Sequence, residues 1–338
     1  MVGVGTGHGD AGRRPLPVAV DAMGGDRAPG EIVAGARRAA DELGIDVVLV
    51  GPADQLGDTG GLEVLPASEV IAMDEDPGQG VRRKKDSSLV RAAEAVRDGR
   101  ALAMVSAGNT GATMASALLR MGRLKGITRP AIATPIPQIG SHPTVLLDAG
   151  ANTECTPAML VQFAQMGSAY STARYGVAEP TVALLSIGEE KSKGTPLVKE
   201  THALLAATPG LRFIGNAEGR DLMHDAPDVV VTDGFTGNVA LKTLEGSLRF
   251  FMDTLLDVLS KNDETKKASE VLLPFLAPLA AEFDPDNTGG AVLLGVDGIC
   301  VISHGSSSSQ AIVSAVKVAH DVAMAGLVDR LAQAVAVA

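Results

Sequence analysis

Aromatic residues and cysteine are scarce in this chain of 338 residues. Tryptophan is absent, aromatic residues make up 3% of the chain, and Cys155 and Cys300 are the two cysteines. So few aromatic side chains leave little surface for stacking single-stranded nucleic acid, and a net charge of -11 argues against general nucleic-acid binding. Two distant cysteines outside any CxxC pattern indicate buried thiols in a reducing compartment.

Long hydrophobic runs are missing as well. The longest nearly uncharged run, 271–281 (VLLPFLAPLAA), is too short to span a bilayer. Residues 1–15 lack the apolar centre of a secretory signal, and we expect them to form a mobile tail. GxxxxGK[ST], GxSxG and HExxH motifs do not occur, and no histidine spacing supports a metal site.

The pattern that is present is an alternation of short β-rich runs with helical patterns. Runs rich in Val, Ile and Leu predict strands buried on both faces, and the alternation predicts a mainly parallel sheet flanked by helices. The predicted strands are 17–21, 45–50, 69–73, 101–106, 130–135, 143–148, 181–187, 211–215, 228–232 and 298–303. The predicted helices are 30–43, 87–98, 109–122, 156–174, 196–207, 237–261, 264–281 and 308–335. We therefore expect residues 16–338 to form a single α/β domain, in one lobe or two.

Residues 237–281 interrupt this alternation and predict a protruding helical hairpin. Apolar residues recur every three or four positions from Leu241 to Val258, and a polar turn precedes a second helical pattern. Either the hairpin pairs with a second copy of the chain, giving a homodimer, or both helices pack on their own sheet. Two prolines predict a kinked apolar tip that meets a membrane surface or is buried against the dimer mate. The residues of that tip are Leu272, Leu273, Phe275 and Leu276.

Glycine-rich and asparagine-rich turns follow many of the predicted strands. Small residues allow close backbone approach, and free N–H groups at a helix start favour an anion. Because ligands bind at the carboxyl ends of parallel strands, we expect these loops to gather along one edge of the sheet and to form an anion pocket. Its candidate residues are Asp21, Gly24, Gly25, Gly108, Asn109, Thr110, Gly111, Lys193, Asn216, Asp233, Asn238 and His304.

Two of these side chains have alternative interpretations. His304 ends a predicted strand and either orients or protonates a substrate oxygen or makes a structural hydrogen bond. Asp21 either lies at the pocket rim or caps the turn at Gly24 and Gly25. A separate basic cluster, Arg82, Arg83, Lys84 and Lys85, is either solvated surface or a contact for an acidic macromolecule.

Seven motifs, read in order, closely resemble the PlsX family, the bacterial phosphate acyltransferases of phospholipid synthesis. They are VAVDAMGGDRAP, SAGNTGA, LLSIGEEKSKGT, FIGNAEGRD, DVVVTDGFTGNVALKTLEG, GGAVLLGVDG and SHGSS, and the resemblance runs from about residue 16 to about residue 330. It implies a fold similar to phosphotransacetylases and to isocitrate and isopropylmalate dehydrogenases. It also implies a cytoplasmic, peripherally membrane-associated homodimer. Residues 150–157 and 192–200 depart from the pattern we expect of the family.

The resemblance implies reversible transfer of a fatty acyl group from acyl carrier protein to inorganic phosphate, without a cofactor. The acyl phosphate would feed a membrane glycerol-3-phosphate acyltransferase. In this interpretation Asn109, Lys193 and His304 act in catalysis, the remaining loop residues bind substrate or phosphate, and the basic cluster contacts the carrier protein. Replacing Asn109 by Ala is then expected to lower turnover without unfolding the chain. The alternatives are a phosphotransacetylase using acyl-CoA, an NAD-dependent decarboxylating dehydrogenase, or a non-enzymatic scaffold at the membrane surface.

Overall fold

A computed structural model describes residues 16–224 and 227–336, and its strands form one eleven-stranded sheet. The predicted tail, residues 1–15, lies outside the described residues. The strand order is β3-β2-β1-β4-β11-β10-β5-β6-β9-β7-β8. The strands are β1 (Val18–Asp21), β2 (Val47–Gly51), β3 (Glu63–Pro66), β4 (Ala103–Ser106), β5 (Ala131–Ile136), β6 (Thr144–Leu147), β7 (Thr181–Leu185), β8 (Arg212–Ala217), β9 (Val229–Val231), β10 (Ala291–Leu294) and β11 (Cys300–Ile302).

The sheet consists of two parallel blocks that run in opposite directions. Strands β3, β2, β1, β4 and β11 pair in parallel, and so do β6, β9, β7 and β8. Between the blocks, β10 is antiparallel to both of its neighbours, and β5 is antiparallel to β6. The mainly parallel α/β architecture is therefore confirmed, with a reversal of direction in the middle of the sheet.

Helices cover both faces of the sheet. They are α1 (Gly30–Leu43), α2 (Pro77–Arg83), α3 (Ser88–Arg97), α4 (Thr110–Arg120), α5 (Pro157–Tyr175), α6 (Pro196–Ala207), α7 (Gly234–Leu259), α8 (Asp263–Phe283), α9 (Pro285–Thr288), α10 (Ser309–Met324) and α11 (Leu327–Ala336). A 3-10 helix spans Gly219–Met223. The single helix predicted over 308–335 is two helices, because Gly326 between them adopts a φ of 67°.

Two segments differ from the strand prediction. Residues 69–73 form no strand and make one isolated bridge, between Glu69 and Ser87, while Ile71 is buried. Strands β3 and β10 were not predicted; β3 lies at the edge of the sheet and has no buried residue. The core itself lies where the apolar runs predicted it, with every residue of β1, β2, β4 and β6 buried.

Helices α7 and α8 form the predicted hairpin and expose much of their apolar surface. Among the described side chains, α7 buries Gly234 and Gly237 alone. Phe250 and Phe275 are 74% and 77% exposed. The hairpin therefore carries apolar side chains that the other described residues do not cover.

The kinked apolar tip is not present as predicted. Helix α8 continues through Pro274 and Pro278, and the hairpin turns at 260–262, so Leu272, Leu273, Phe275 and Leu276 lie within the second helix. Both prolines are exposed. The carbonyl groups that lose a helical N–H partner can therefore be hydrated, which makes the prolines tolerable.

No single described helix is long and apolar enough to cross a membrane. Taken together, helices α10 and α11 have the length and composition of a membrane span, but they bend by 56° at their junction. Helix α10 buries eight of its side chains in the core, as a helix of the protein interior does.

Candidate active site

Three loops at the ends of adjacent strands β1, β4 and β11 touch one another; we call them the first loop group (22–26, 106–110 and 303–308). The amide of Asp26 donates to the carbonyl of Gly305 over 2.8 Å. A Cβ on Gly24 would lie 2.7 Å from the amide nitrogen of Gly108, and one on Gly25 would lie 3.1 Å from the Gly305 oxygen. Glycine is required at both positions because the neighbouring backbones leave no room for a side chain.

The buried carboxyl of Asp21 holds the first loop group together. It is 2% exposed, and its Oδ2 accepts a hydrogen bond from the Ser106 hydroxyl over 2.7 Å. The same hydroxyl accepts one from the Gly108 amide over 3.0 Å. Burial raises the pKa of the Asp21 carboxyl, against the hydrogen bonds that it accepts. Of the two predicted roles, the contacts favour support of the turn, because Oδ1 accepts from the Met23 amide over 3.4 Å while Oδ2 is engaged by Ser106.

Asn109 also has a structural role. Its Oδ1 caps α4 by accepting from the Ala112 amide over 3.0 Å, and its Nδ2 donates to the Met73 carbonyl over 2.7 Å. The side chain thereby ties a short segment, 73–75, to the first loop group. Losing this cap in Asn109→Ala is expected to cost about 0.5–2 kcal/mol, less than the usual stability of a folded domain, so the prediction that the variant stays folded stands as a prediction. The following N–H groups, on Thr110 and Gly111, belong to the open first turn of α4.

His304 is exposed in the third loop of the group, beside helix α7. Its Nε2 lies 3.9 Å from Glu245 Oε1, and Glu245 Oε2 accepts a 2.8 Å hydrogen bond from Lys242 Nζ. Sequence spacing gave no indication of these two α7 side chains. They show that α7 reaches the first loop group.

A second loop group (148–152, 186–195, 216–219 and 232–238) follows strands β6, β7, β8 and β9. At its centre, the fully buried carboxylate of Asp148 accepts hydrogen bonds from the amides of Gly150, Ala151 and Asn152, over 3.1, 2.9 and 2.7 Å. It also accepts from the Ile132 amide and the Asn152 side chain. Asp148 is not among the predicted site residues; it fixes the loop after β6.

Asp233 and Asn238 attach the start of α7 to that loop. Asp233 caps α7 through the Thr236 amide over 2.8 Å, and Asn238 Nδ2 donates to the Ala149 carbonyl over 3.1 Å. The Gly234 amide donates to the Asn152 carbonyl over 2.7 Å. These two predicted site residues therefore lie together, and both are engaged in fixing the backbone.

Lys193 and Asn216 lie together in another part of the second group. Asn216 Nδ2 donates to the carbonyls of Gly188 and Glu190, over 3.2 and 3.1 Å. The Lys193 amide donates to the same Glu190 carbonyl over 2.9 Å, and its ammonium-bearing side chain is exposed. Asn216 thus shapes the turn that carries Lys193.

The expectation that all these loops share one edge is wrong. Because the two parallel blocks run in opposite directions, the strand ends that carry the first and second groups point in opposite directions along the sheet. Five strand steps separate β4 from β9, a twist of roughly 100–125° in total. Helix α7 begins in the second group and brings Glu245 to His304 of the first, about 18 Å along its axis from Asp233.

The cysteine nearest these loops is poorly suited to act as a nucleophile. Burial raises the pKa of the Cys155 thiol to about 11, and its Sγ lies 3.6 Å from the Asn152 carbonyl oxygen. A thiol with that pKa is almost entirely protonated near neutral pH. Within 16–224 and 227–336, no three His, Cys, Asp or Glu side chains are grouped to hold a metal ion.

The basic cluster at 82–85 is divided by the fold. Lys84 is partly buried, pairing with Glu75 and donating to the Val70 carbonyl. Its hydrogen bond lowers the pKa of the Glu75 carboxyl. Arg82, Arg83 and Lys85 are exposed at the end of α2. Three of the four predicted cations are thus presented on the surface.

The fold is that of the phosphotransacetylases. A phosphotransacetylase of Staphylococcus aureus superposes with a TM-score of 0.60 at 15% identity, over 92% of this chain and 94% of that one. A branched-chain phosphotransacylase of Enterococcus faecalis also gives 0.60 at 15% identity, over 91% of this chain and 99% of that one. A putative 4-hydroxythreonine-4-phosphate dehydrogenase of Salmonella typhimurium gives 0.56 at 13%, over 91% and 100%. At these identities the likeness defines the fold, an α/β enzyme architecture.

Sequence relatives define the family. The model of a family described as fatty acid synthesis protein matches residues 16–330. A phosphate acyltransferase of Elusimicrobium minutum is 47% identical over 95% of this chain and 96% of its own length. One of Nostoc punctiforme is 46% identical over 92% and 94%. The chain belongs to this family, the PlsX family, and is an enzyme of the transferase class.

Proposed function

We propose that this protein transfers a fatty acyl group from acyl carrier protein to inorganic phosphate, reversibly, and so supplies acyl phosphate for phospholipid synthesis. The observation that carries the proposal is the first loop group, in which three glycine-bearing loops meet where α4 and α10 begin. The open first turn of α4 in this group favours an anion such as phosphate. Relatives at 46–47% identity that are named phosphate acyltransferase support the same reaction class.

The reaction needs positioning rather than a protein nucleophile. A phosphate oxygen attacks the thioester carbonyl carbon, a C–O bond forms, and the C–S bond breaks to release the carrier-protein thiolate. A thiol with an ordinary pKa of ~8.5 is a good leaving group, so little acid assistance is required. The protonated Cys155 thiol fits this direct attack, because a covalent acyl-enzyme would need a thiolate.

We assign the anion-binding role to the open first turn of α4, at Thr110 and Gly111, with His304 as a donor to the oxyanion. Gly24, Gly25 and Gly108 give the backbone its close approach, and Asp21 and Asn109 hold that backbone in place. Lys193 is the exposed cation of the second group and is proposed to bind a substrate phosphate.

The proposed macromolecular partners follow from charge and exposed apolar surface. Arg82, Arg83 and Lys85 offer a cationic contact for an acidic carrier protein on an otherwise acidic enzyme. The uncovered face of the α7–α8 hairpin is proposed to form a homodimer interface and to touch the membrane near a glycerol-3-phosphate acyltransferase. A cytoplasmic enzyme attached to the membrane surface in this way would deliver its unstable product directly.

The test is release of carrier-protein thiol from palmitoyl-acyl carrier protein, dependent on phosphate, with palmitoyl-CoA assayed in parallel. Release with the carrier-protein donor alone, together with an acyl phosphate trapped by hydroxylamine, is the expected result. Release with CoA alone would move the chain to the activity named for its structural neighbours. Release with neither donor would refute the proposal.

A matched pair of variants tests the role of Lys193. Lys191 and Lys193 are both exposed in the same turn, but the Lys193 side chain folds toward Gly188. We expect Lys193→Ala to raise the KM for phosphate about tenfold, while Lys191→Ala leaves it within twofold. Equal effects would indicate a general charge contribution and remove Lys193 from the site.

A further inference from the structure

His202 of helix α6 contacts Asn216 of β8, and Asn216 in turn contacts the turn that carries Lys193. Its Nδ1 lies 3.0 Å from Oδ1 of Asn216, whose Nδ2 donates to the carbonyls of Gly188 and Glu190. His202 is partly buried, and no motif in the sequence pairs it with Asn216. A continuous chain of hydrogen bonds therefore runs from α6 to the turn.

The direction of each bond in this chain is fixed by its partners. Two carbonyl oxygens face one end of the Asn216 amide, and carbonyls only accept, so the NH2 group lies on that side. Oδ1 then faces His202 and requires a donor, which sets the proton on Nδ1. The neutral Nδ1–H tautomer and the imidazolium both donate from this atom, so the bond survives protonation of the ring.

A bulge in strand β8 brings the partners of His202 to one face. The register with β7 shifts after Phe213, and Gly215 adopts a φ of 112°. In a regular strand, residues three apart such as Phe213 and Asn216 point to opposite faces. The extra residue, Ile214, removes that alternation, so that Phe213 packs edge-on against the His202 ring at 5.1 Å while Asn216 bonds its nitrogen.

We propose that His202 is a positioning residue for the Lys193 turn. By holding Oδ1 of Asn216, it orients the amide that fixes the carbonyls of Gly188 and Glu190, and the Glu190 carbonyl also accepts from the Lys193 backbone. The inference rests on the proposed function for the role of Lys193, and on geometry alone for the link itself. The task it assigns to His202 is exerted through Asn216.

The test compares His202→Phe with His202→Asn. Phenylalanine keeps a ring against Phe213 but removes the donor, whereas the Asn amide places an N–H close to the position of Nδ1. Losing one such bond is expected to increase hydrogen exchange of amides 189–194 and the KM for phosphate about 3- to 10-fold each, with kcat within twofold. His202→Asn is expected to restore both, and Asn216→Asp, which removes the amide donors, to reproduce the defect.

Exchange is measured without substrate, so it separates the link from the proposed function. Unchanged exchange in His202→Phe overturns the inference even if the enzyme transfers acyl groups. Wild-type exchange in Asn216→Asp also overturns it, because the hydrogen bonds of the Asn216 amide would then not hold the turn. Raised exchange with an unchanged KM overturns the role in phosphate binding, and an inactive wild type refutes the proposed function on its own.

Discussion

Two glycines of helix α7 allow a sharp test of how closely that helix packs against the loop of Asp148. A Cβ added at Gly237 would overlap the carbonyl oxygen of Asp148 and lie 3.0 Å from Cγ2 of Thr232. Gly246, in the same helix, has no atom within 4 Å of the equivalent position and is exposed. Gly237→Ala and Gly246→Ala therefore make the same chemical change in two different environments.

The expected magnitude follows from what the added methyl group displaces. Overpacking costs about 1–3 kcal/mol. Moving the first turn of α7 outward also weakens the bonds from Gly234 to Asn152 and from Asn238 to Ala149, each worth about 1 kcal/mol. Alanine regains up to about 1 kcal/mol of helix propensity. Gly237→Ala should therefore lower the free energy of unfolding by about 2–4 kcal/mol, whereas Gly246→Ala should raise it by up to about 1 kcal/mol.

Denaturant titration, followed by circular dichroism, measures both values, and turnover is assayed on the folded variants. We expect Gly237→Ala to lose activity as well as stability, since the Asp148 loop and the start of α7 move together. Gly246→Ala should keep full activity. Stabilities of the two variants within about 0.5 kcal/mol of each other would refute the close approach of α7 to Asp148.

Much of the fold could be predicted because its signals are local. Buried strands such as β1 and β6 are continuous apolar runs, and helix starts carry caps such as Ser87 and Thr156. The reversal of direction at β10 and β5 could not be predicted in this way. Which strand pairs with which depends on contacts distant in sequence, and a four-residue strand reads the same in either direction.

The same limit applied to the site. Glycine-rich turns marked where loops follow strands, but only strand direction shows that these loops form two groups. The hydrogen-bond partners of individual side chains could not be predicted from the sequence either. Asn109 was predicted to bind substrate because asparagine suits an anion pocket, yet its amide is occupied by Ala112 and Met73. His202 had no partner in sequence spacing, since a bulge places Asn216 beside it.

Helix α7 links the two loop groups that the proposed reaction would use. Its first turn is fixed by Asp233 and Asn238 in the second group, and about 18 Å further along, Glu245 lies beside His304 in the first. Beyond that point the helix is largely exposed. A contact made by the outer hairpin would therefore act on both loop groups through the same helix. The proposed membrane or dimer contact could influence the site in this way.

Three further predictions test individual side chains. Cys155→Ser should keep at least half of the wild-type turnover, and iodoacetamide at pH 8 should leave Cys155 unmodified, because its pKa is about 11; rapid labelling would contradict this. Gly24→Ala, whose Cβ would lie 2.6 Å from Asp21 Oδ2, should destabilise by about 2–4 kcal/mol, while Gly30→Ala, with nothing within 4 Å, should be close to neutral by thermal unfolding. Asp21 should make stability fall as pH rises. Its pKa is raised in the folded state, so the folded protein holds the proton more tightly than the unfolded chain does. The ionisation penalty is absent below the unfolded pKa of about 3.9 and grows until the pH passes the folded value. Asp21→Asn removes this dependence. As the pH rises from the unfolded pKa to the folded pKa of Asp21, the unfolding free energy of the wild type should therefore fall relative to that of the variant. A difference that stays constant with pH would show that the carboxyl is not desolvated as the structure indicates.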